Sequence, residues 1–317
     1  MAVAWSTVTP RPWPKEVTNL AHHIEEIAAA GVPLRVDVVS ERQYERILQN
    51  EDFLNYRLAG VRRYLDYTLA EPDLIWYPDT LGKMMEYDGK QVILYGQWYE
   101  GEIQRLLVSL LAKKMFKAGL YLFHASAVHY RNKNIAFIGG ESNSGKTMSQ
   151  IEACRRGGAI ISTETIVTDA SGRVVMGSKN VFLRQRAKGT ERIDKPNQDE
   201  GVAKFFSRPP EFTIYEGPAV LDLVILPDID GNYAPLAGEM ATYEKQYQTF
   251  HCLCDYLGMH ILLAPGLPMP LLDDQQLRVQ RANFIEQFTQ KPYYYIRGAN
   301  PQVVIDQLDE ILKKMEG

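Results

Sequence analysis

One eight-residue segment near the middle of the chain constrains the fold more than any other feature of the sequence. Gly140–Thr147 reads Gly-Glu-Ser-Asn-Ser-Gly-Lys-Thr and matches the pattern G-x-x-x-x-G-K-[ST]. The apolar run Ile135–Ile138 directly precedes it, and Thr147–Arg156 has the composition of a helix that Gly157 ends. A strand, a glycine-rich loop and a helix in this order predict an α/β fold.

The residue types of this loop are those that a polyphosphate requires. Backbone N–H groups can converge on an anion only where side chains leave room, as at Gly140 and Gly145. The helix that follows directs its unpaired N–H groups and the positive end of its dipole toward the same point. We expect Lys146 to reach the β- and γ-phosphates and the Thr147 hydroxyl to ligate Mg²⁺. The expected cofactors are therefore ATP and Mg²⁺, and the nucleotide would be held by Gly140, Glu141, Ser142, Asn143, Ser144, Gly145, Lys146 and Thr147.

Two other observations bear on this nucleotide site. Asp228 follows the apolar run Val220–Leu226, where a second metal-binding carboxylate would lie, although an aspartate there is equally typical of a turn that ends a strand. No N-K-x-D-like guanine reader occurs in the sequence, so a GTPase switch is not expected. The alternative for the loop itself is a glycine turn beside a solvated lysine.

Composition excludes several classes of protein. The chain has 317 residues, of which 45% are hydrophobic and 23% charged, as in folded globular proteins. Lys and Arg number 35 against 39 Asp and Glu, so a protein that coats nucleic acid is not expected. Three cysteines cannot form a disulfide framework, and the sequence has neither a signal peptide nor 18 consecutive apolar residues. We expect a cytoplasmic protein that contacts no membrane.

Hydrophobic patterns divide the chain near residue 100. Before it, the patterns predict a helix over residues 17–30, a short helix over 41–48 capped by Ser40, and a hairpin over 83–95 that turns at Asp88-Gly89. After it, they predict an amphipathic helix from Ile103 to Gly119. We therefore predict a small α+β domain over 1–100 and a second domain over 101–317.

The second domain is predicted to alternate strands and helices. The remaining predictions are strands over 120–129, 159–161, 165–168, 220–226 and 293–296, a helix over 275–288 capped by Asp273-Asp274, and a closing helix from Pro301 to Met315.

The block from His124 to Thr147 resembles the HPr kinase/phosphorylase-like family. It combines His124-Ala-Ser-Ala-Val with Asn134-Ile-Ala-Phe-Ile-Gly-Gly-Glu-Ser-Asn-Ser-Gly-Lys-Thr147. The resemblance covers residues 103–185, and 219–230 and 293–315 more loosely, but not the first hundred residues. It implies a P-loop kinase core related to phosphoenolpyruvate carboxykinases, a homo-oligomer, and transfer of a γ-phosphoryl group to a serine-type hydroxyl. By position, His124 matches the family histidine near the phosphate and metal. The alternative is a histidine whose hydrogen bonds are made within the sheet.

The sequence departs from this family at the expected base. The family has an Asp-Asp pair after the loop helix, and here Thr163 and Glu164 stand at those two positions. Threonine cannot accept a proton at neutral pH, so Thr163 is not the general base. Glu164 is expected to serve as base or as a metal ligand, and the alternative is a solvated glutamate at a strand end. Arg184, Arg186 and Arg297 are weaker candidates for binding phosphate charge.

The sequence thus predicts an ATP- and Mg²⁺-dependent kinase. Its catalytic residues would be Lys146, Glu164 and His124, its metal ligands Thr147 and Asp228, and its acceptor a hydroxyl on a protein or peptide. Two alternatives remain open, namely a kinase for a small metabolite and a nucleotide-binding regulator with little turnover. The sequence does not select among ATP, ADP and pyrophosphate as donor.

Overall fold

The computed structural model describes residues 20–50, 52–58, 60–64, 68–87, 90–139, 144–183, 204–206, 212–254 and 274–316. Within these ranges the chain is a mixed α/β structure with parallel and antiparallel strands, which confirms the predicted α/β class. Among the helices in these ranges, none combines the length and apolar character needed to span a bilayer.

The first hundred residues contribute one six-stranded sheet. Its strand order is β3-β1-β2-β4-β6-β5, in which β2, β4 and β6 are parallel neighbours. A short helix, α1, precedes β3. The elements are β1 Ala21–Ala29, β2 Val32–Ser40, α1 Asp52–Arg57, β3 Arg62–Tyr64, β4 Leu74–Tyr77, β5 Met84–Tyr87 and β6 Val92–Tyr95. β5 and β6 pair antiparallel, which confirms the strand pairing of the hairpin predicted over 83–95; its predicted turn, Asp88-Gly89, lies outside the described residues.

The helix predicted over residues 17–30 is wrong, because Ala21–Ala29 is a strand. β1 pairs antiparallel with β2 along its whole length. Ala30 (φ 51°) and Gly31 (φ 75°) connect the two strands, and positive φ at both central residues is what a type I′ hairpin requires. Gly31 therefore turns a hairpin, although the same residue type also ends helices.

The short helix predicted over residues 41–48 is also wrong. Ser40 does accept a backbone hydrogen bond, but only from the N–H of Arg42, 3.0 Å away. The Ser40 hydroxyl itself donates to Asp79 at 2.6 Å, and the N–H of Ile47 donates to the Glu25 carboxylate at 2.7 Å. Side chains from elsewhere satisfy these backbone groups, so the segment has no need of a helical turn.

The helix predicted after residue 100 is confirmed as α2, Glu100–Lys117. The Glu102 carboxylate accepts the N–H of Tyr99 at 3.0 Å and so caps the helix start. Most of α2 is buried, including Leu107 and Leu111. It contacts β2 on one side and the strand Tyr121–His124 on the other. The division of the chain near residue 100 stays a prediction.

The remainder of the described chain forms three sheets and four further helices. A seven-stranded sheet has the order β15-β10-β8-β9-β16-β18-β17, a three-stranded sheet the order β12-β11-β7, and a two-stranded sheet contains β13 and β14. The strands are β7 Tyr121–His124, β8 Ser126–Tyr130, β9 Lys133–Phe137, β10 Ala159–Ser162, β11 Thr165–Thr168, β12 Val174–Gly177, β13 Val181–Leu183, β14 Lys204–Phe206, β15 Thr213–Ile214, β16 Leu223–Ile229, β17 Leu236–Glu239 and β18 Tyr293–Gly298. The helices are α3 Lys146–Arg155, α4 Thr242–Cys254, α5 Gln275–Phe288 and α6 Pro301–Glu316.

Two of the predicted strands have different bounds in the structure. The strand predicted over 120–129 is divided into β7 and β8, which belong to different sheets and separate at Ala125. The N–H of Ala125 donates to the carbonyl of Glu164 at 3.1 Å. The strand predicted over 220–226 begins at Leu223 and continues to Ile229, so Asp228 lies within its last residues.

Alternate residues of the central strands face two separate cores. Leu223 and Ile225 of β16 pack with residues of α3 and α6. Val224, between them, faces the opposite side together with Tyr293 and residues of α4 and α5. Both faces are apolar, as expected for parallel strands covered by helices on two sides.

Candidate functional site

The predicted strand and helix on either side of the glycine-rich loop are both present. β9 ends at Phe137 and α3 begins at Lys146, whose ammonium group donates to the carbonyl of Gly139 at 2.8 Å. The lysine side chain thus turns back to the residue at which the loop leaves the strand. The predicted nucleotide-binding residues Gly140, Glu141, Ser142 and Asn143 lie outside the described residues, whereas Ser144, Gly145, Lys146 and Thr147 are half-buried.

Close packing against β16 explains why glycine stands immediately before α3. Gly145 has φ 105°, and a Cβ there would lie 2.6 Å from Cγ1 of Ile229. The N–H of Ile229 donates to the carbonyl of Ser144 at 3.2 Å. Any other residue type at Gly145 would displace the Ile229 side chain and would be strained at this φ, so close packing holds the start of α3 at the end of β16.

The carboxyl ends of three parallel strands meet at this point. β16 is paired in parallel with β9 on one side and with β18 on the other. Gly139, Asp228 and Arg297 therefore lie along one edge of the sheet. In open α/β sheets, the crevice outside the carboxyl ends of the strands is where ligands bind. The first turn of α3, whose backbone N–H groups have no partner within the helix itself, lies at the same edge.

Asp228 is a buried carboxylate held by two neighbours. Nε of Arg297 donates to Oδ2 of Asp228 at 2.8 Å, and the hydroxyl of Tyr295 donates to the same oxygen. The Arg297 guanidinium lies 4.9 Å from the centre of the Tyr233 ring. Arg297, a weaker candidate from the sequence, is thus a direct partner of the predicted metal ligand. The other two arginine candidates, Arg184 and Arg186, lie outside the described residues.

The residues at this edge offer oxygen atoms, which are the ligands that a magnesium ion prefers. Among the described residues, no group of three His, Cys, Asp or Glu side chains is arranged to hold a metal ion. Mg²⁺ is commonly bound by one or two protein oxygen ligands together with substrate phosphates, so such a group is not required. Thr147, in the first turn of α3, offers a hydroxyl, and Asp228 offers a carboxylate.

Glu164 is held between two cationic partners. Its Oε1 lies 3.2 Å from Nε2 of His124 and accepts a hydrogen bond from Nη1 of Arg57 at 2.8 Å, while its side chain is only 13% exposed. Burial raises the pKa of Glu164, but the hydrogen bond and charge of His124, the charge of Arg57 and a hydrogen bond from Tyr56 outweigh it and lower the pKa to about 2. Glu164 is therefore ionised at neutral pH and is a weak proton acceptor.

Thr163 faces away from this cluster. Its side chain is buried, and its hydroxyl donates to the carbonyl of Asn180 at 2.6 Å and lies 3.2 Å from the Ser178 hydroxyl. The Ser178 hydroxyl also accepts the N–H groups of Glu164 and Thr165, each at 2.9 Å. Thr163 thus forms part of a turn that fixes the backbone of Glu164.

Helix α3 is tied to β8 and β10, the strands that adjoin His124 and Glu164 in the chain. The buried amide of Gln150 donates to the carbonyl of Ala127 at 2.8 Å and to that of Ser162 at 2.5 Å. Ser126 adds a long contact of 3.5 Å from its hydroxyl to the carbonyl of Lys146. Ser126 is two residues from His124, so their Cα atoms are at most about 7 Å apart. The structure therefore brings the start of α3 and the His124–Glu164 pair into one neighbourhood.

Sequence reasoning missed Arg57, Tyr56 and Tyr295 as members of this neighbourhood. Arg57 lies at the end of α1, 107 residues before its partner Glu164. The local sequence around it carries no motif, and only the folded chain brings it to the carboxylate. Tyr295 falls within the strand predicted over 293–296, and nothing in that pattern indicates its hydrogen bond to Asp228.

No protein-family model matches this chain, and none of the curated proteins matches it in sequence. The similarity to the HPr kinase/phosphorylase-like family accordingly stays a prediction from the residues between His124 and Thr147.

Proposed function

We propose that this protein is an ATP- and Mg²⁺-dependent kinase that transfers the γ-phosphoryl group to a serine-type hydroxyl on a protein or peptide. One observation carries the proposal. The ammonium group of Lys146 and the first turn of α3 lie at the carboxyl edge of parallel strands, beside the acidic residue of the neighbouring strand β16. This combination of strand, loop, helix and adjacent carboxylate is what a P-loop kinase core requires.

Lys146 would bind the β- and γ-phosphates. In the structure its ammonium donates to a neutral carbonyl, that of Gly139. A phosphate oxygen is a stronger acceptor than a carbonyl because the hydrogen bond is then charge-assisted. The lysine could therefore exchange one partner for the other, while Gly140–Thr147 contribute backbone N–H groups to the triphosphate. Thr147 and Asp228 would hold Mg²⁺, which would neutralise charge on the phosphates.

His124 and Glu164 would face the acceptor hydroxyl in different roles. With its pKa lowered to about 2, Glu164 is poorly suited to take the proton itself. Glu164 would instead orient His124 through Nε2, so that the imidazolium stabilises negative charge on the phosphates. The acceptor oxygen would bond to the γ-phosphorus, the bond from that phosphorus to the bridging oxygen would break, and ADP would leave. The hydroxyl proton would pass to water, because an imidazolium has no free ring nitrogen to accept it.

The test is transfer of labelled γ-phosphate to a panel of serine-bearing peptides and hydroxylated metabolites. The wild-type protein should label a member of the panel, and Lys146→Ala should lower the rate by roughly a hundredfold or more. Lys314→Ala, an exposed lysine at the end of α6, serves as the matched control and should retain the wild-type rate. Equal transfer by wild type and Lys146→Ala would contradict the proposal. Labelling of metabolites alone would favour a small-metabolite kinase.

A nucleotide-binding regulator with little turnover is a second candidate, favoured by the pairing of Glu164 with Arg57 and by the buried hydroxyl of Thr163. Thr163→Asp separates the two candidates. The new carboxyl would lie near the carbonyls of Ser178 and Asn180, so folding of the variant is checked first by circular dichroism. A rise in turnover supports a weakened kinase. Unchanged ATP binding without turnover in either protein supports the regulator.

A further inference from the structure

A cavity of about 640 Å³ opens between β17, α4 and the middle of β16 and β18. Its walls include Leu226 of β16, Tyr295 of β18, and Tyr243 and Tyr247 of α4. The two tyrosines of α4 are four residues apart and so lie on one side of the helix. They are 72% and 57% exposed, which leaves their rings accessible to a ligand.

This cavity shares a wall with the candidate nucleotide site. Tyr295 lines it and donates its hydroxyl to Asp228. Leu226 lines it as well, and its Cδ1 lies 3.3 Å from the position that a Cβ of Gly139 would take. Leu226 and Asp228 are two residues apart in β16 and therefore face the same side of the sheet. A ligand in the cavity would accordingly lie beside Asp228 at the carboxyl edge of the sheet.

The lining has the chemistry of a site for a cation. Three tyrosine rings and the apolar side chains Leu226 and Leu236 are accompanied by two carboxylates, Glu239 and Glu244, and none of the described residues that line the cavity is basic. Lys245, outside the lining, pairs with Glu239 at 3.0 Å. The Glu244 carboxylate accepts the N–H of Ala241 at 2.7 Å. A cationic group would gain from the tyrosine faces and from Glu244, whereas a phosphate chain would be repelled.

We infer that this cavity binds the phosphoryl acceptor, and that the acceptor is a peptide segment with an arginine or lysine next to the reacting serine. That the bound peptide is a phosphoryl acceptor rests on the proposed kinase function. The preference for a cationic side chain rests on the lining of the cavity alone. The triphosphate would bind at the start of α3 and the basic side chain between Tyr243 and Tyr247. The serine would then extend past the shared wall at Asp228 and Tyr295, with its hydroxyl toward His124 and Glu164.

Three synthetic peptides test the inference, identical except that the serine is flanked by arginines, alanines or glutamates. Their binding is measured by calorimetry without nucleotide, and ATP binding is measured in parallel. The wild-type protein should bind the arginine peptide roughly tenfold or more tightly than the glutamate peptide. Glu244→Gln, which keeps the acceptor for the Ala241 N–H, and the double variant Tyr243→Ala/Tyr247→Ala should reduce this preference at least about threefold. Tyr64→Ala, an exposed ring on edge strand β3, should leave it unchanged.

The outcomes separate this inference from the proposed function. Equal binding of the three peptides, or a preference that survives both cavity variants, overturns the assignment of the cavity. Loss of ATP affinity in the tyrosine double variant overturns it too, because the cavity would then hold the nucleotide base. Peptide preference without any ATP binding by the wild type would support the cavity and refute the kinase.

Discussion

Exchange of Glu164 for glutamine should make the protein less stable in a strongly pH-dependent way. The pKa of Glu164 is lowered from 4.5 to about 2 by His124, Arg57 and Tyr56, despite burial. At about 1.4 kcal/mol for each tenfold change in proton affinity, this corresponds to about 3 kcal/mol of stability at pH 7. Because the folded-state pKa is the lower one, the contribution is complete above pH 4.5 and is lost as the pH falls toward 2. At pH 3 about 1.5 kcal/mol should remain.

The assay is urea unfolding followed by circular dichroism at pH 7 and at pH 3. The free energy of unfolding of Glu164→Gln should lie about 3 kcal/mol below that of the wild type at pH 7, and the gap should narrow by about half at pH 3. Glu286→Gln, which changes an exposed carboxylate on α5, is the matched control and should follow the wild type at both values. A gap below about 1 kcal/mol at pH 7, or a gap that does not change with pH, would refute the account of this cluster.

Three further substitutions or reactions test the packing around α3. Gly145→Ala should lower the melting temperature and abolish nucleotide binding, because the new Cβ collides with Ile229 of β16. In the control Gly101→Ala in α2, the new Cβ meets open space and should not destabilise the protein. Similar melting temperatures for the two variants would contradict this packing. Gln150→Ala should lower the free energy of unfolding by about 1–3 kcal/mol, since two buried carbonyls lose their amide donor. The control Gln290→Ala, which changes an exposed amide, should lower it far less, and an equal loss in the two variants would contradict this role of Gln150. Burial raises the pKa of the Cys154 thiol to about 12, so iodoacetamide at pH 8 should modify this residue only after unfolding. Mass spectrometry that located rapid labelling at Cys154 in the native protein, rather than at the half-buried Cys254, would contradict this.

Local sequence patterns predict an element correctly where the hydrophobic periodicity agrees with the residues that start or end that element. The closing helix is an example. Pro301 at its first turn and an apolar stripe that includes Val304 and Leu308 define α6, and both side chains are fully buried. The hairpin β5–β6 follows in the same way from Asp88-Gly89 between two apolar runs.

The same reasoning fails where a long partner strand decides the outcome. Ile24 and Ile27 have helical spacing, yet β1 pairs with β2 over nine residues, and that pairing exceeds the small helix preference of the segment. Gly31 has a positive φ in either interpretation, so it could not distinguish a helix end from a hairpin turn.

The candidate site is likewise predictable from sequence only where its residues are neighbours in the chain. The strand, the helix and the position of Lys146 at its start follow from the motif alone, because the motif is contiguous. The partners of Glu164 and Asp228 do not, because Arg57 and Tyr295 reach them only through tertiary contacts. Sequence therefore predicted which carboxylates to consider but not that both are already paired.

The central claim is that the start of α3 binds a nucleoside triphosphate, and calorimetric titration with ATP and Mg²⁺ tests it most directly. The wild-type protein should bind with a single site, and Lys146→Ala should weaken the affinity by roughly tenfold or more, since one charge-assisted contact to phosphate is lost. Absence of heat with the wild type, or equal affinity in the two proteins, would contradict it.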